Sequence, residues 1–157
     1  MTHNTHPLPA KQWALLNADL VLVQRWLQGF SPMPNGCERT AWLGKDGQYM
    51  VVQGLPLPDR FEPDHIDVML DLSQFPSIAP IGLYALNANN EMLMSQLSGI
   101  FRAFRDTAFH EAESLPGYTW MCYHYANNQW KHNAIAPHKG DNLAKFLNNF
   151  YTELEMN

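Results

Sequence analysis

The chain has 157 residues and a formal charge of −5 at pH 7. Its 10 basic side chains are scattered rather than clustered on one stripe, which argues against a nucleic-acid partner. Hydrophobic residues make up 46% of the chain and charged residues 16%, and this composition indicates a folded domain rather than a disordered segment.

The amino-terminal segment MTHNTHPLPA has neither the basic start nor the apolar run of a secretory signal. No stretch reaches the roughly 18 apolar residues that a membrane span needs. We therefore expect a cytoplasmic protein with no membrane partner. A flexible tail over residues 1–10, which contains His3 and His6, precedes a single domain over residues 11–157.

An amphipathic helix is predicted over residues 11–29, where Gly29 provides a stop signal. Its apolar stripe consists of Leu16, Leu20, Val23 and Leu27. The next segment, SPMPNG, contains two prolines and an Asn-Gly pair, so it is expected to form a turn.

Four antiparallel strands are predicted next. ERTAWLG and QYMVVQGLPL are joined by KDGQ, in which Asp46-Gly47 is a hairpin signal between two apolar runs. Residues 65–72 alternate with the period of a half-buried strand. IGLYAL, residues 81–86, follows two prolines that cannot donate backbone hydrogen bonds, and we expect it to be a fourth strand at the sheet edge.

Residues 91–109 are predicted to form a helix or a partly ordered insertion. A closing helix is predicted in GDNLAKFLNNFYTEL, whose apolar residues share one helical face and whose Asp141 could cap the amino end. The order of a helix, four strands, an irregular cysteine-bearing region and a helix predicts an α+β fold with helices on one face of the sheet.

The segment GYTWMCYHYANNQW contains Cys122 among five aromatic residues. A cysteine in such surroundings often only fills space in a core. The turn signals on both sides instead favour a connection near the surface over a central strand, and the thiol would then be reachable. The sequence leaves both interpretations open.

His124 could accept the proton of Cys122 or stabilise its thiolate. The two side chains share a face only if the segment is a regular strand. Cys37, in the turn PNGCER, has no neighbouring base and is expected to be incidental. Because no CxxC pattern is present, both cysteines are expected to be free thiols.

The order of these features resembles the ubiquitin-conjugating enzyme (UBC-like) superfamily. In that superfamily a helix and a four-stranded meander lead through a proline-containing turn to an acceptor cysteine, which a tryptophan follows eight positions later. This chain has IDVMLDLSQFPSIAP, then Cys122, then Trp130 at that offset, then the closing helix. LPLPDRF and the W…H…GDNL…FL pattern are similar to bacterial members, and the resemblance covers most of residues 12–155.

The resemblance implies a transferase of the bacterial branch that operates without a cofactor. Cys122 would accept a ubiquitin-like modifier as a thioester from a ThiF-like activating enzyme and pass it to a target, with His124 as the assisting base. A JAB-type isopeptidase would belong to the same pathway, and several such systems serve antiphage defence. The alternative is a catalytically inactive binding platform of the same fold, and burial of the Cys122 thiol beneath Trp120, Tyr123 and Tyr125 would favour it.

Two departures from the family pattern affect the expected chemistry. The Asn of the family's His-Pro-Asn motif lies eight residues before the cysteine, where this chain has Ser114. An insertion over residues 91–112 also lengthens the connection to Cys122. Without that amide, the oxyanion would be stabilised by His124, Asn127, Asn128 or backbone N–H groups. The two asparagines also suit a turn before Trp130, which is expected to pack against the closing helix.

A hydrolytic zinc site is the remaining alternative, because three side-chain ligands and a water molecule are enough to hold a catalytic zinc ion. The candidate ligands are His124, His132, His138 and Asp141. Nothing in their spacing places them on a common helical face, so we expect no metal.

Overall fold

The structure, a computed structural model, describes residues 8–108, 112–125 and 129–157. In these ranges the fold is α+β, as the sequence predicts. One helix precedes an antiparallel sheet along the chain and another follows it. The helices are α1 (Ala10–Gln28), α2 (Glu91–Ser98) and α3 (Leu143–Met156). The strands are β1 (Thr40–Gly44), β2 (Tyr49–Pro56), β3 (His65–Asp71), β4 (Gly82–Leu86), β5 (Ala103–Arg105) and β6 (Tyr118–Cys122).

The sheet of the described residues has six strands in the order β1-β2-β3-β4-β6-β5. The predicted meander is present as β1 to β4, but the prediction that it ends with an edge strand is wrong. β4 pairs with β3 on one side and with β6 on the other. The prolines precede β4 rather than lie within it, so its backbone has donors available on both sides.

The prediction of an irregular segment around Cys122 is also wrong, because the five residues YTWMC form β6, between β4 and β5. Aromatic and β-branched residues favour strands, and in this segment they outweigh the turn signals around it. Those signals mark the start of the strand, where Gly117 has a φ of 91°.

The insertion after β4 contains a helix and a strand. Helix α2 is capped by Asn90, whose side chain accepts a hydrogen bond from the Leu93 backbone N–H at 3.1 Å. The short strand β5 then pairs with β6, so part of the insertion extends the sheet.

The predicted Asp46-Gly47 turn joins β1 to β2. Both residues have left-handed backbones, with φ of 56° and 87°. A Cβ at Gly47 would also lie 2.6 Å from the Leu8 Cδ1 atom, so the turn packs closely against the chain entering α1. Leu8 therefore belongs to the packed structure, while residues 1–7, with His3 and His6, lie outside the described residues.

The main core lies between one face of the sheet and the three helices. Helix α3 contributes the predicted stripe of Leu143, Phe146, Leu147, Phe150 and Leu154, all buried. Burial of each such side chain stabilises the fold by about 1.5–3 kcal/mol relative to exposure.

The opposite face of the sheet, here called the outer face, has a smaller cluster of Tyr49, Met69, Tyr84 and Trp120. The strand register places Met69, Tyr84 and Trp120 in one row across β3, β4 and β6. The β5–β6 connection covers part of this row, because the Tyr84 hydroxyl donates to the Glu113 carbonyl at 2.7 Å.

A buried carboxylate joins the two ends of the fold. Asp19 lies on the buried face of α1 and is fully inaccessible to solvent. Leu20, which the sequence assigns to that stripe, is only partly buried. Its Oδ1 atom lies 2.8 Å from His132 Nε2, and its Oδ2 accepts the Leu143 backbone N–H at 2.8 Å. Burial raises the pKa of Asp19, and these two hydrogen bonds oppose the rise.

The prediction that Asp141 caps α3 is wrong. Asn142 is the cap, and its side chain accepts the Lys145 N–H at 2.9 Å. The Asp141 carboxylate instead accepts hydrogen bonds from the Tyr125 hydroxyl and the Lys131 N–H, each at 2.7 Å. This holds the chain after β6 against the start of α3.

No helix among the described residues is both long and apolar enough to cross a lipid bilayer.

Replacing Asp19 tests this junction. We expect Asp19→Ala to lower the free energy of unfolding by about 3–5 kcal/mol, because His132 and the start of α3 lose a buried partner. Asp19→Asn keeps one acceptor oxygen and should cost less. Urea unfolding measures both, with Asn17→Ala on the exposed side of α1 as the control. Losses under 1 kcal/mol for both Asp19 variants would show that the junction contributes little.

Candidate functional site

Cys122 is the last residue of β6, and its side chain is half-buried on the outer face. Strand alternation places Trp120 and Cys122 on this face and Met121 in the main core. Tyr123 and Tyr125 also belong to the main core, so of the three rings that could seal the thiol only Trp120 shares its face. The thiol is partly accessible from the side of the sheet away from the helices.

His124 lies beside the thiol, with its Nε2 atom 3.4 Å from Cys122 Sγ. The pairing with β4 continues past the strand end, because the Tyr123 N–H donates to the Ile81 carbonyl at 3.3 Å. This extended backbone satisfies the condition under which residues two apart share a face. The structure therefore brings the two predicted residues together, and the imidazole is exposed and within reach of the thiol proton.

The strand on one side of Cys122 has no side chain at the paired position. The β4 residue opposite Cys122 is Gly82, and the Trp120 indole occupies the space beside it. A Cβ at Gly82 would lie 2.4 Å from the Met121 carbonyl oxygen and 2.7 Å from Trp120 Cε2. Glycine at this position thus allows β6 and its indole to pack closely next to the thiol.

On the other side of Cys122 lies Arg102, which precedes β5. The Cys122 N–H donates to the Arg102 carbonyl at 2.9 Å, and the β5–β6 register places the two residues opposite each other. The guanidinium carbon lies 5.7 Å from the centre of the Phe104 ring, which belongs to the outer face. Sequence reasoning did not select Arg102, because only the long-range pairing of β5 with β6 brings it to the cysteine.

Two opposing effects act on the thiol. Burial raises the pKa of Cys122, since a thiolate is less well solvated in a half-buried position, and the positive charge of Arg102 lowers it. Burial is the larger effect, so the pKa remains above its ordinary value.

A cavity of about 90 Å³ opens on the same end of the outer face. Its lining includes Trp120 and Gly82, the residue paired with Cys122. Ile81 and Asp71, the last residue of β3, also line it. The cavity thus lies beside the strand position that pairs with Cys122.

The other predicted groups do not reach Cys122 in the described part of the chain. Asn127 and Asn128 lie outside the described residues. Ser114 Oγ accepts the Ala108 N–H at 3.1 Å within the β5–β6 connection. Trp130 packs edge-to-face on Tyr125, and its Nε1 donates to the Pro76 carbonyl at 2.7 Å.

The structure does not bring the candidate metal ligands together. His132 binds Asp19 inside the fold, Asp141 binds Tyr125 and Lys131, and His138 is exposed. Across the described ranges, no group of three His, Cys, Asp or Glu side chains could hold a metal ion. Cys37 is an exposed free thiol in the turn before β1.

No family model, no curated protein and no solved structure matches this chain. The resemblance to UBC-like proteins therefore depends on the residues and their order alone, and the site has to be interpreted from its own geometry.

Alkylation tests the electrostatics of the thiol. In a Cys37→Ser background, we expect iodoacetamide to modify Cys122 several-fold more slowly at pH 7.5 than it modifies N-acetylcysteine, because a raised pKa leaves less thiolate. The rate should still be increasing above pH 9. Intact-mass spectrometry measures the rates. A rate equal to that of the free thiol across the pH range would contradict the raised pKa.

A methyl group at Gly82 tests the packing beside the thiol. We expect Gly82→Ala to lower the free energy of unfolding by about 1–3 kcal/mol, because the new Cβ meets backbone rather than a flexible side chain. Gly44→Ala is the matched strand control, since its Cβ would make only an ordinary contact at 3.9 Å. Equal denaturation midpoints for the two variants would rule out the close approach.

Proposed function

We propose that this chain is a bacterial ubiquitin-conjugating-like enzyme with a UBC-like fold. It accepts a ubiquitin-like modifier as a thioester on Cys122 and transfers it to a target. The observation that carries the proposal is the pairing of a partly accessible Cys122 thiol with His124 Nε2 at 3.4 Å, on the outer face of the sheet. A nucleophile and a base within contact distance are what acyl transfer requires.

The chemistry is thioester exchange. His124 takes the proton of Cys122, and the thiolate attacks the carbonyl carbon of the thioester between the modifier and the activating enzyme. A new carbon–sulfur bond forms, the old one breaks, and the thiolate of the activating enzyme leaves. His124 returns its proton to the departing thiolate of the activating enzyme. In the second step an amine attacks the carbonyl carbon of the Cys122 thioester, a carbon–nitrogen bond forms, the bond to Sγ breaks, and His124 accepts the proton released from the nitrogen.

The position of the thiol supports the proposal. All three helices pack on the other face, so no helix stands between Cys122 and an incoming acyl donor. The cavity beside Gly82 offers an approach for a narrow, extended carboxyl terminus. The face is therefore suited to a protein-sized donor that presents a flexible end.

A second candidate is a binding platform without catalysis, and one observation favours it. Burial raises the pKa of Cys122, which reduces the thiolate available near neutral pH. Ser114 also stands where the family has its Asn. In this case the same face would hold a ubiquitin-like protein or a defence complex without forming a covalent bond.

The partners of the proposed enzyme follow from its chemistry and from the family resemblance. They are a ubiquitin-like modifier, a ThiF-like activating enzyme and a protein target, with a JAB-type isopeptidase in the same cytoplasmic pathway. By analogy with the family, the activating enzyme would dock on α1 and the loops nearby.

A reconstituted reaction tests the proposal. With activating enzyme, modifier and ATP, we expect a thiol-sensitive adduct on a non-reducing gel. It should be absent in Cys122→Ala and replaced by a thiol-resistant ester in Cys122→Ser. His124→Ala should slow its formation by about 10²-fold or more, whereas the exposed His138→Ala should not.

An adduct that persists in Cys122→Ala would place the acceptor elsewhere. Non-covalent binding of the modifier without any adduct would favour the platform.

A further inference from the structure

The end of β6 gathers three chemically active side chains rather than two. Arg102, Cys122 and His124 occupy adjacent positions on the outer face, although the first comes from the insertion that separates β4 from β6. Directly opposed residues in an antiparallel pair have Cβ atoms about 4.5–5.5 Å apart. An arginine side chain can therefore extend over the thiol and over any acyl group attached to it.

We propose that Arg102 is the cationic group of the Cys122 site, and that it stabilises the negative charge on Sγ before attack and on the acyl oxygen after attack. This inference rests on the proposed function. It assigns to Arg102 the stabilisation of the oxyanion, because the chain has Ser114 rather than an amide side chain at the family's Asn position. A guanidinium provides several N–H donors in a fixed plane, which suits an oxyanion.

The backbone holds Arg102 at this point of the sheet. Its carbonyl accepts the Cys122 N–H at 2.9 Å, so the two residues are bound to each other by the strand ladder. The Phe104 ring, two residues along on the same face, lies 5.7 Å from the guanidinium carbon and supports the side chain by a cation–π contact. On the other flank of Cys122, Gly82 has no side chain to compete for the acyl group.

The electrostatics point the same way. Burial raises the pKa of the Cys122 thiol, and Arg102 is the group whose positive charge opposes that larger effect. In the exchange step the electron pair of the carbonyl bond moves onto oxygen as Sγ attacks, and it returns when the donor thiolate departs. The charge thus shifts from sulfur to a neighbouring oxygen and back, and one cation can stabilise both positions.

The test compares Arg102→Gln, Arg102→Lys and Arg105→Gln, all in the Cys37→Ser background. Arg105 is the matched control, because it belongs to β5 but lines a cavity beside α2, on the other face of the sheet. The probes are iodoacetamide and the ethyl thioester of acetylated glycylglycine, both uncharged. Intact-mass spectrometry follows alkylation and acyl transfer as a function of pH.

We expect Arg102→Gln to slow alkylation at pH 7.5 by about three- to tenfold and to move the pH profile upward, since a nearby positive charge is lost. Acyl transfer should fall by about 10²-fold, more than the loss of thiolate explains. Arg102→Lys should restore the alkylation rate but only part of the transfer rate. Raising the salt to 1 M should shrink the difference between native protein and Arg102→Gln.

The outcomes distinguish a failure of the proposed function from a failure of the role assigned to Arg102. If the native protein is alkylated but never acylated, the proposed function fails. If the native protein is acylated and Arg102→Gln matches Arg105→Gln in both assays, the assignment of Arg102 fails. A fall in transfer that only parallels the fall in alkylation overturns the role at the acyl oxygen.

Discussion

The pairing of β6 with β4 is the constraint on which the candidate site depends. It inserts the strand that ends in Cys122 between β4 and β5, and the alternation of the strand directs the thiol to the face that the helices leave open. The same register sets Gly82 on one side of Cys122 and Arg102 on the other. A shift of one residue would turn the thiol into the main core and remove it from both neighbours.

The insertion after β4 has a structural explanation in this arrangement. Helix α2 packs Leu93 and Leu97 into the main core, and the chain then returns as β5 along the far side of β6. The segment between β4 and β6 thus builds the sheet edge beside Cys122 and carries Arg102 to it. Under the proposed function, Arg102 would supply the positive charge at the Cys122 site, where position 114 offers no amide side chain.

The buried Asp19 carboxylate fixes the opposite side of the fold. It binds His132 and the first turn of α3, while Asp141 binds Tyr125 and Lys131. The chain that follows His124 is therefore held at two points before α3 begins. In the described residues His132 Nδ1 is buried without a hydrogen-bond partner, so the imidazole takes part in this junction through its Nε2 hydrogen bond with Asp19.

Local patterns in the sequence determined the terminal helices, the hairpin at Asp46-Gly47 and the strands β1 to β3, because periodicity and turn chemistry act between near neighbours. They also selected Cys122 and His124. They did not determine that β4 is central, that YTWMC is a strand, or that Asp19 is buried, since each depends on a partner far along the chain. Arg102 lies twenty residues before Cys122 and has no spacing signal, so only strand pairing could bring the two together. The tertiary structure decided the site because strands far apart along the chain can pair by hydrogen bonds. Sequence patterns, in contrast, report only on residues that are near neighbours along the chain.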